Sequence, residues 1–103
     1  MSIKVIISAD VKDFDSFSKV FNGEGPQAAR KEAGFIAKDH KNLDNPTNVV
    51  VIGTVDSKES FRAFFNTPEQ AERMKNAGVV SEPKVTFLAS KYIYDFSFLV
   101  DVA

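Results

Sequence analysis

The spacing of hydrophobic residues changes its period several times along the chain. In residues 3–11, apolar side chains occupy every second position, which is the period of a β-strand with one buried face. After Asp13, apolar residues recur at intervals of three and four, which is the spacing of one face of a helix. These residues are Phe14, Phe17, Val20 and Phe21. An aspartate before such a run is a common helix N-cap, so we predict a strand followed by a helix that begins after Asp13.

Glycine and proline divide the next residues into separate elements. Residues 22–26 contain two glycines and a proline, which interrupt the first helix, and residues 26–33 are good helix formers that end at Gly34. Two β-prone runs follow at residues 35–41 and 49–55, joined by a segment rich in residues that favour turns. We predict a hairpin with a long loop in this part of the chain.

The second half of the chain repeats the order of a helical region followed by a strand. Asp56 and Glu59 have the spacing of a helix start signal, and a second start signal follows at Thr67. We therefore predict a helical region that is broken in two and ends at Gly78. Residues 84–90 alternate again and form the last core strand. The complete order of elements is β-α-β-β-α-β.

This order predicts an α+β protein in which the helices cover one face of an antiparallel sheet, as in the ferredoxin-like fold. Right-handed crossovers place both helical regions on the same side. The other face would be polar in a monomer, yet the third strand carries Val49, Val51 and Val55 on one side and Val50 and Ile52 on the other. Because a large apolar face in a soluble protein indicates an interaction surface, we predict a homodimer.

Length and composition predict one soluble domain. The chain has 103 residues, of which 44% are hydrophobic and 26% are charged, so we take residues 1–103 as a single domain with its core at residues 1–90. Residues 91–103 form an aromatic, alternating extension that we expect at the dimer interface, where Tyr92 and Tyr94 would fit. No stretch is long enough to cross a bilayer, and we expect a cytoplasmic protein.

The residue content argues against several classes of function. The chain has no cysteine and a single histidine, which excludes a disulfide framework and sulfur-ligated zinc, and we predict no metal site. A net charge of -1 with scattered lysines gives no basic surface for nucleic acid. The third strand also lacks the aromatic platform of the RNA-binding domains that share this order of elements.

Several segments resemble the antibiotic-biosynthesis-monooxygenase-like (ABM) group of dimeric α+β barrel proteins. The resemblance covers residues 1–90 and rests on the order of elements, the Gly-Phe-Ile entry to strand two at 34–36, the hairpin at 44–51 and the helix entry at 56–65. It implies that two sheets face one another to form a barrel, with helices outside and a pocket between each sheet and its helices. The group includes cofactor-independent monooxygenases, haem-degrading enzymes, isomerases and members without known activity. The haem-degrading members use an Asn-Trp-His set, and this chain has no tryptophan.

His40 is the candidate catalytic base, because histidine is the side chain that most readily exchanges a proton near neutral pH. The alternative is an exposed or structural histidine beside the polar hairpin. Phenylalanines on the predicted helix faces either fill the core or line a cavity for a flat, apolar ligand with a few polar groups. The residues predicted to line such a ligand pocket are Phe17, Phe21, Phe61, Phe64, Thr54 and Thr86.

Two hypotheses about function stay open. The first is a cofactor-independent monooxygenase or isomerase that acts on a small aromatic compound, with His40 as a base or orienting group. The second is a non-catalytic module of the same fold that binds a small ligand or regulates another process, because one fold supports many functions. Neither hypothesis calls for a cofactor, and we predict none.

Overall fold

The computed structural model describes residues 2–89, which form four strands and four helices. The strands are β1 (Ile3–Asp10), β2 (Ile36–Lys41), β3 (Asn48–Val55) and β4 (Lys84–Leu88). The helices are α1 (Phe14–Phe21), α2 (Glu24–Glu32), α3 (Lys58–Phe65) and α4 (Pro68–Asn76). The predicted α+β order is confirmed, with each helical region divided into two helices. The predicted interface role of residues 91–103, including Tyr92 and Tyr94, lies outside the described residues.

All strand pairings in the sheet are antiparallel, and the strand order is β2-β3-β1-β4. Ile52 lies opposite Ile6 on one side and Lys38 on the other, and Ile6 lies opposite Thr86. Side chains that share a face therefore form rows across the sheet. The side of the sheet away from the helices is called the open face below. It carries Lys4, Ile6, Ser8, Asp10, Ile36, Lys38, His40, Asn48, Val50, Ile52, Thr54, Lys84, Thr86 and Leu88.

Side-chain oxygens cap three of the helices at their N-termini. The carboxylate of Asp13 accepts a hydrogen bond from the Ser16 amide at 2.8 Å, which confirms the predicted start of α1. Thr67 caps α4 in the same way, as predicted. The start signal assigned to Asp56 is corrected, because the N-cap of α3 is Ser57. The carboxylate of Asp56 stands one residue too early for the cap position.

Two glycines end helices in the left-handed region of backbone space. Gly34 follows α2 with φ 72°, and Gly78 follows α4 with φ 85°, so both predicted helix ends are confirmed. The predicted break at residues 22–26 is shorter than expected, because α2 already begins at Glu24. Pro26 is tolerated in this first turn, where backbone amides have no intrahelical partner.

The core lies between the sheet and the helices. Phe61 is 2% exposed, packs edge-on against Phe35 and Phe87, and stacks on Phe65. Burial of one such side chain contributes about 1.5–3 kcal/mol. The inward-facing residues of the two central strands complete this core, and those that are buried are Val5, Ile7, Ala9, Val49, Val51 and Val55. None of the helices between residues 2 and 89 combines the length and hydrophobicity of a membrane span.

Candidate functional site

A cleft opens between the helix-covered face of the sheet and the surrounding helices, and it is called the cleft below. Most of its walls are aliphatic and aromatic side chains, which come from β1, β3 and each of the four helices. The enclosed part has a volume of about 70 Å³, and the whole space including the open mouth is about 680 Å³. Ligand pockets measure roughly 300 to 1,000 Å³. An aromatic ligand would therefore need some lining side chains to move.

Phe64 and Arg73 separate the cleft from a neighbouring groove. Both side chains line the cleft and this second, more open groove of about 400 Å³ on the helix surface.

Three polar side chains line the cleft, and two of them are cationic. These are the guanidinium groups of Arg30 and Arg73 and the amide of Gln70, whose Oε1 accepts a hydrogen bond from Arg73 Nη1 at 3.0 Å. Within residues 2–89, the cleft has no lining aspartate, glutamate, histidine, serine, threonine or tyrosine. The described walls thus offer hydrogen-bond donors and positive charge, and no ionisable base.

Arg30 is 9% exposed, and Phe21 holds its guanidinium in place by two contacts. The guanidinium carbon lies 3.7 Å from the centroid of the Phe21 ring, and Arg30 Nη2 donates a hydrogen bond to the Phe21 carbonyl at 2.8 Å. Phe21 is the last residue of α1, where backbone carbonyls lack intrahelical partners. The Phe21 ring in turn stacks on Phe17 at 5.5 Å between centroids. Arg30 therefore joins the end of α1 to α2 as well as lining the cleft.

The charge of Arg30 is affected by burial and by one nearby acid. Burial lowers the pKa of Arg30, and the attraction of the Asp39 carboxylate partly raises it again. Asp39 Oδ1 accepts a hydrogen bond from Asn22 Nδ2 at 3.3 Å. Asp39 Oδ2 is the one buried side-chain oxygen or nitrogen among the described residues that has no hydrogen-bond partner. Because an arginine side chain starts from a very high pKa, Arg30 stays charged at neutral pH.

The structure places the predicted pocket residues in two different locations. Phe17, Phe21 and Phe64 line the cleft, and Phe61 lies in the core beside it. Thr54 and Thr86 lie on the open face, because they alternate with inward-facing neighbours on β3 and β4. The structure therefore does not bring the two threonines together with the phenylalanines.

His40 lies on the open face and is exposed. Its Nδ1 atom is 3.2 Å from the Val50 carbonyl oxygen of the neighbouring strand. Along β2, Ala37 and Asp39 face the helices, and the alternation of the strand turns His40 away from the cleft. His40 and the helix-face phenylalanines therefore lie on opposite sides of the sheet.

Sequence reasoning missed the polar residues that do line the cleft. Neither Arg30 nor Arg73 was among the residues predicted to line a ligand pocket. A signal is present in α4, where cleft-lining residues recur at helical spacing although half of them are polar. They are Gln70, Arg73 and Met74 of α4 and Ala77, the residue directly after the helix. In α2, Arg30 stands four residues after Pro26, which also lines the cleft.

No protein-family model and no curated protein matches the chain, whereas solved structures match its fold. A monooxygenase of Streptomyces coelicolor from the gene ActVA-Orf6, solved in complex with nanaomycin D, is 22% identical with a TM-score of 0.65. The match covers 87% of this chain and 88% of that one. SnoaB, a cofactor-independent oxygenase from Streptomyces nogalater, is 17% identical with a TM-score of 0.64, covering 88% and 96% of the two chains.

A conserved protein from Methanosarcina mazei has the same fold, with 15% identity, a TM-score of 0.62, and coverage of 88% of this chain and 94% of that one. Structures described as antibiotic biosynthesis monooxygenases share this subunit fold as well, so the subunit fold implied by the resemblance is confirmed. Since one fold supports different activities, the activity has to be argued from the cleft.

Proposed function

We propose that the protein is an ABM-like monooxygenase that works without a cofactor on a small aromatic compound. The observation that carries this proposal is the cleft, an aromatic-walled cavity with a buried guanidinium at its edge, on a fold shared with a cofactor-independent oxygenase. Apolar walls favour a flat hydrocarbon ring, and a few polar groups orient it. The runner-up is a non-catalytic module that binds the same kind of ligand.

The chemistry of such a reaction places few demands on the protein. When a phenol is converted to a quinone by dioxygen, one oxygen atom enters the ring and the other leaves as water, and the substrate supplies all the electrons. The phenol must first become more nucleophilic by losing its proton. A nearby cation favours the oxyanion, so Arg30 would stabilise this form while the proton leaves to water at the open mouth.

The proposal includes a homodimer that forms through the open face. Its centre is apolar, with Ile6, Val50 and Ile52 in neighbouring rows, and Ile36 and Leu88 at the edges are 75% and 42% exposed. A second copy of the chain would cover these side chains, which otherwise remain in contact with water. Such a dimer is also what the ABM resemblance implies.

The remaining sequence predictions belong to the same proposal. We infer that residues 1–103 form one domain, with residues 91–103 at the dimer interface. A cytoplasmic location is supported by the absence of cysteine, since cysteine-rich frameworks are typical of small secreted domains.

The experiment that tests the activity uses α-naphthol and isotopically labelled dioxygen. The purified protein should convert α-naphthol to the corresponding naphthoquinone faster than buffer does, with one labelled oxygen atom in the quinone by mass spectrometry. Arg30→Gln should slow this reaction. The matched control is Lys31→Gln, which removes a charge from the neighbouring exposed position of α2 and should leave the rate unchanged.

His40→Ala decides whether the histidine takes part. Because His40 lies on the open face, we expect the variant to retain the rate of the unchanged protein. A large loss of rate in a folded, dimeric His40→Ala protein would instead return His40 to the reaction. The unchanged protein could also bind α-naphthol in the cleft without oxidising it. In that case the monooxygenase proposal fails and the binding module is favoured.

A further inference from the structure

We propose that the cleft selects aromatic ligands that carry a negatively charged oxygen, and that Arg30 is the residue that binds this oxygen. The inference deepens the proposed function by naming its ligand class. It requires that the cleft is the ligand site, and it does not require that the bound ligand is oxidised.

Positive charge predominates around the cleft. Arg30 and Arg73 line it, and no acidic side chain in residues 2–89 does. Asp39 attracts Arg30, but it stands outside the lining and Asn22 holds one of its oxygens. Burying a cation without a directly bonded anion is unfavourable, and a ligand anion would compensate for this. The described part of the cleft is therefore complementary to a negative ligand.

The guanidinium group of Arg30 is held in one orientation. Ring stacking on Phe21 and the hydrogen bond from Nη2 fix the plane of the guanidinium group. That bond goes to a carbonyl and uses one of the five N–H donors of an arginine. A fixed, planar set of donors is well suited to a carboxylate or a phenolate oxygen.

A purely structural role for Arg30 predicts something different. Its bond to the Phe21 carbonyl would satisfy the end of α1 even if no ligand entered the cleft. That role needs one donor, and it makes no distinction between a charged ligand and a neutral one of the same shape. Discrimination between two such ligands therefore separates binding from structural support.

The experiment compares α-naphthoate with α-naphthamide, which share a ring system and differ in charge. Isothermal titration of the purified full chain should show α-naphthoate binding at least about tenfold more tightly, the effect of one charged hydrogen-bonded contact. Arg30→Gln should abolish the difference between the two ligands. Arg30→Lys should keep part of it, because the charge remains and the planar donor set is lost.

The controls assign the effect to one residue. Lys31→Gln removes one positive charge from the exposed side of the same helix and should keep the tenfold preference. If the preference survives in Arg30→Gln and disappears in Arg73→Gln, the assignment to Arg30 is overturned. Equal binding of the two ligands to the unchanged protein overturns the inference while leaving the cleft as a ligand site.

Two further outcomes are informative. If neither ligand binds, the inference is contradicted, and the α-naphthol reaction alone then decides the proposed function. If Arg30→Gln does not fold by circular dichroism, the unchanged protein still decides, because the NMR signal of the Arg30 Nε–H group should shift with α-naphthoate and stay in place with α-naphthamide. Equal shifts with both ligands would contradict the proposal.

Discussion

The two faces of the sheet are built from the same four strands, yet their side chains lie in very different surroundings. On the helix-covered face, Val5 and Val55 are 0% and 1% exposed. On the open face, Ile36 is 75% exposed and Leu88 is 42% exposed. Apolar residues on the first face stabilise the single subunit, whereas those on the second contribute only when another surface covers them. The comparison separates the stability of the fold from its assembly.

Polar side chains on the two faces also differ in what they imply. His40, Thr54 and Thr86 lie on the open face, where water can satisfy the hydrogen bonds of a polar side chain. Arg30 and Asp39 lie on the covered side, where a polar group must find a partner or be retained for another reason. Arg30 and Asp39 are therefore better functional candidates than the polar residues of the open face.

The largest expected effect comes from removing the centre of the covered core. Phe61→Ala should lower the free energy of unfolding by about 3–5 kcal/mol, because it removes a fully buried ring and leaves a cavity. Urea denaturation followed by circular dichroism measures this change. Leu43→Ala, at a position that is 90% exposed, should change stability by less than about 0.5 kcal/mol. Similar losses in both variants would contradict the description of the core.

The open face should respond through assembly. Ile52→Asp should raise the dimer dissociation constant by about 100-fold or more, because each dimer would bury two carboxylates among apolar side chains. Light scattering after size exclusion gives the mass, which should fall from twice 11.4 kDa towards 11.4 kDa on dilution. Leu43→Asp places the same charge on the hairpin loop and should leave the dimer intact. An Ile52→Asp dimer as tight as the original would exclude this face as the interface.

Gly53 and Gly25 differ in the space available for an added side chain. A Cβ atom at Gly53 would approach the Ile36 carbonyl oxygen and lie 2.7 Å from the Ala37 Cβ, so Gly53→Ala should destabilise the protein by about 1–3 kcal/mol. At Gly25, inside α2, an added Cβ meets nothing within 4 Å. Gly25→Ala should therefore raise stability by about 0.5–1 kcal/mol. Thermal unfolding should show shifts of opposite sign, and equal shifts would refute the close packing of β2 on β3.

The smallest effect concerns Asp13 and pH. Hydrogen bonds from the backbone and side chain of Ser16 lower the pKa of Asp13 below its usual 3.8. The charged cap therefore stabilises the folded protein above pH 3.8, and this contribution is lost as the pH falls through the lowered folded-state pKa. Asp13→Asn keeps a capping oxygen and removes this titration. Thermal unfolding across the acidic range should show a weaker pH dependence in the variant than in the unchanged protein.

The sequence predicted the elements well because their signals are local. Alternation marked β1, and Gly34 and Gly78 ended their helices through a backbone conformation that glycine adopts readily. It did not predict which side of each strand faces the helices, because β3 has apolar residues on both sides, such as Val51 and Ile52. Thr54 and Thr86 were therefore grouped with the phenylalanines of the opposite side.

The cleft was harder to predict than the fold for a different physical reason. Arginine usually keeps its charged end in water, so a charged position in a helix is normally assigned to the surface. The depth of Arg30 depends on how α2 packs against the end of α1, and that contact is tertiary. The sequence shows helical spacing in one further set of cleft-lining residues, Gln70, Arg73, Met74 and Ala77. Because two of them are polar, the spacing did not indicate that they share one face.

The position of β1 at the centre of the sheet has a consequence for how the chain reaches this structure. β1 pairs on one side with β3 and on the other with β4, so Ile6 must meet Thr86 from the far end of the described chain. Helices of eight or nine residues do not persist alone, and β2–β3 is the one strand pair joined by a short loop. During synthesis, the nascent chain can therefore form the β2–β3 hairpin early. One edge of β1 nevertheless stays unpaired until β4 has left the ribosome.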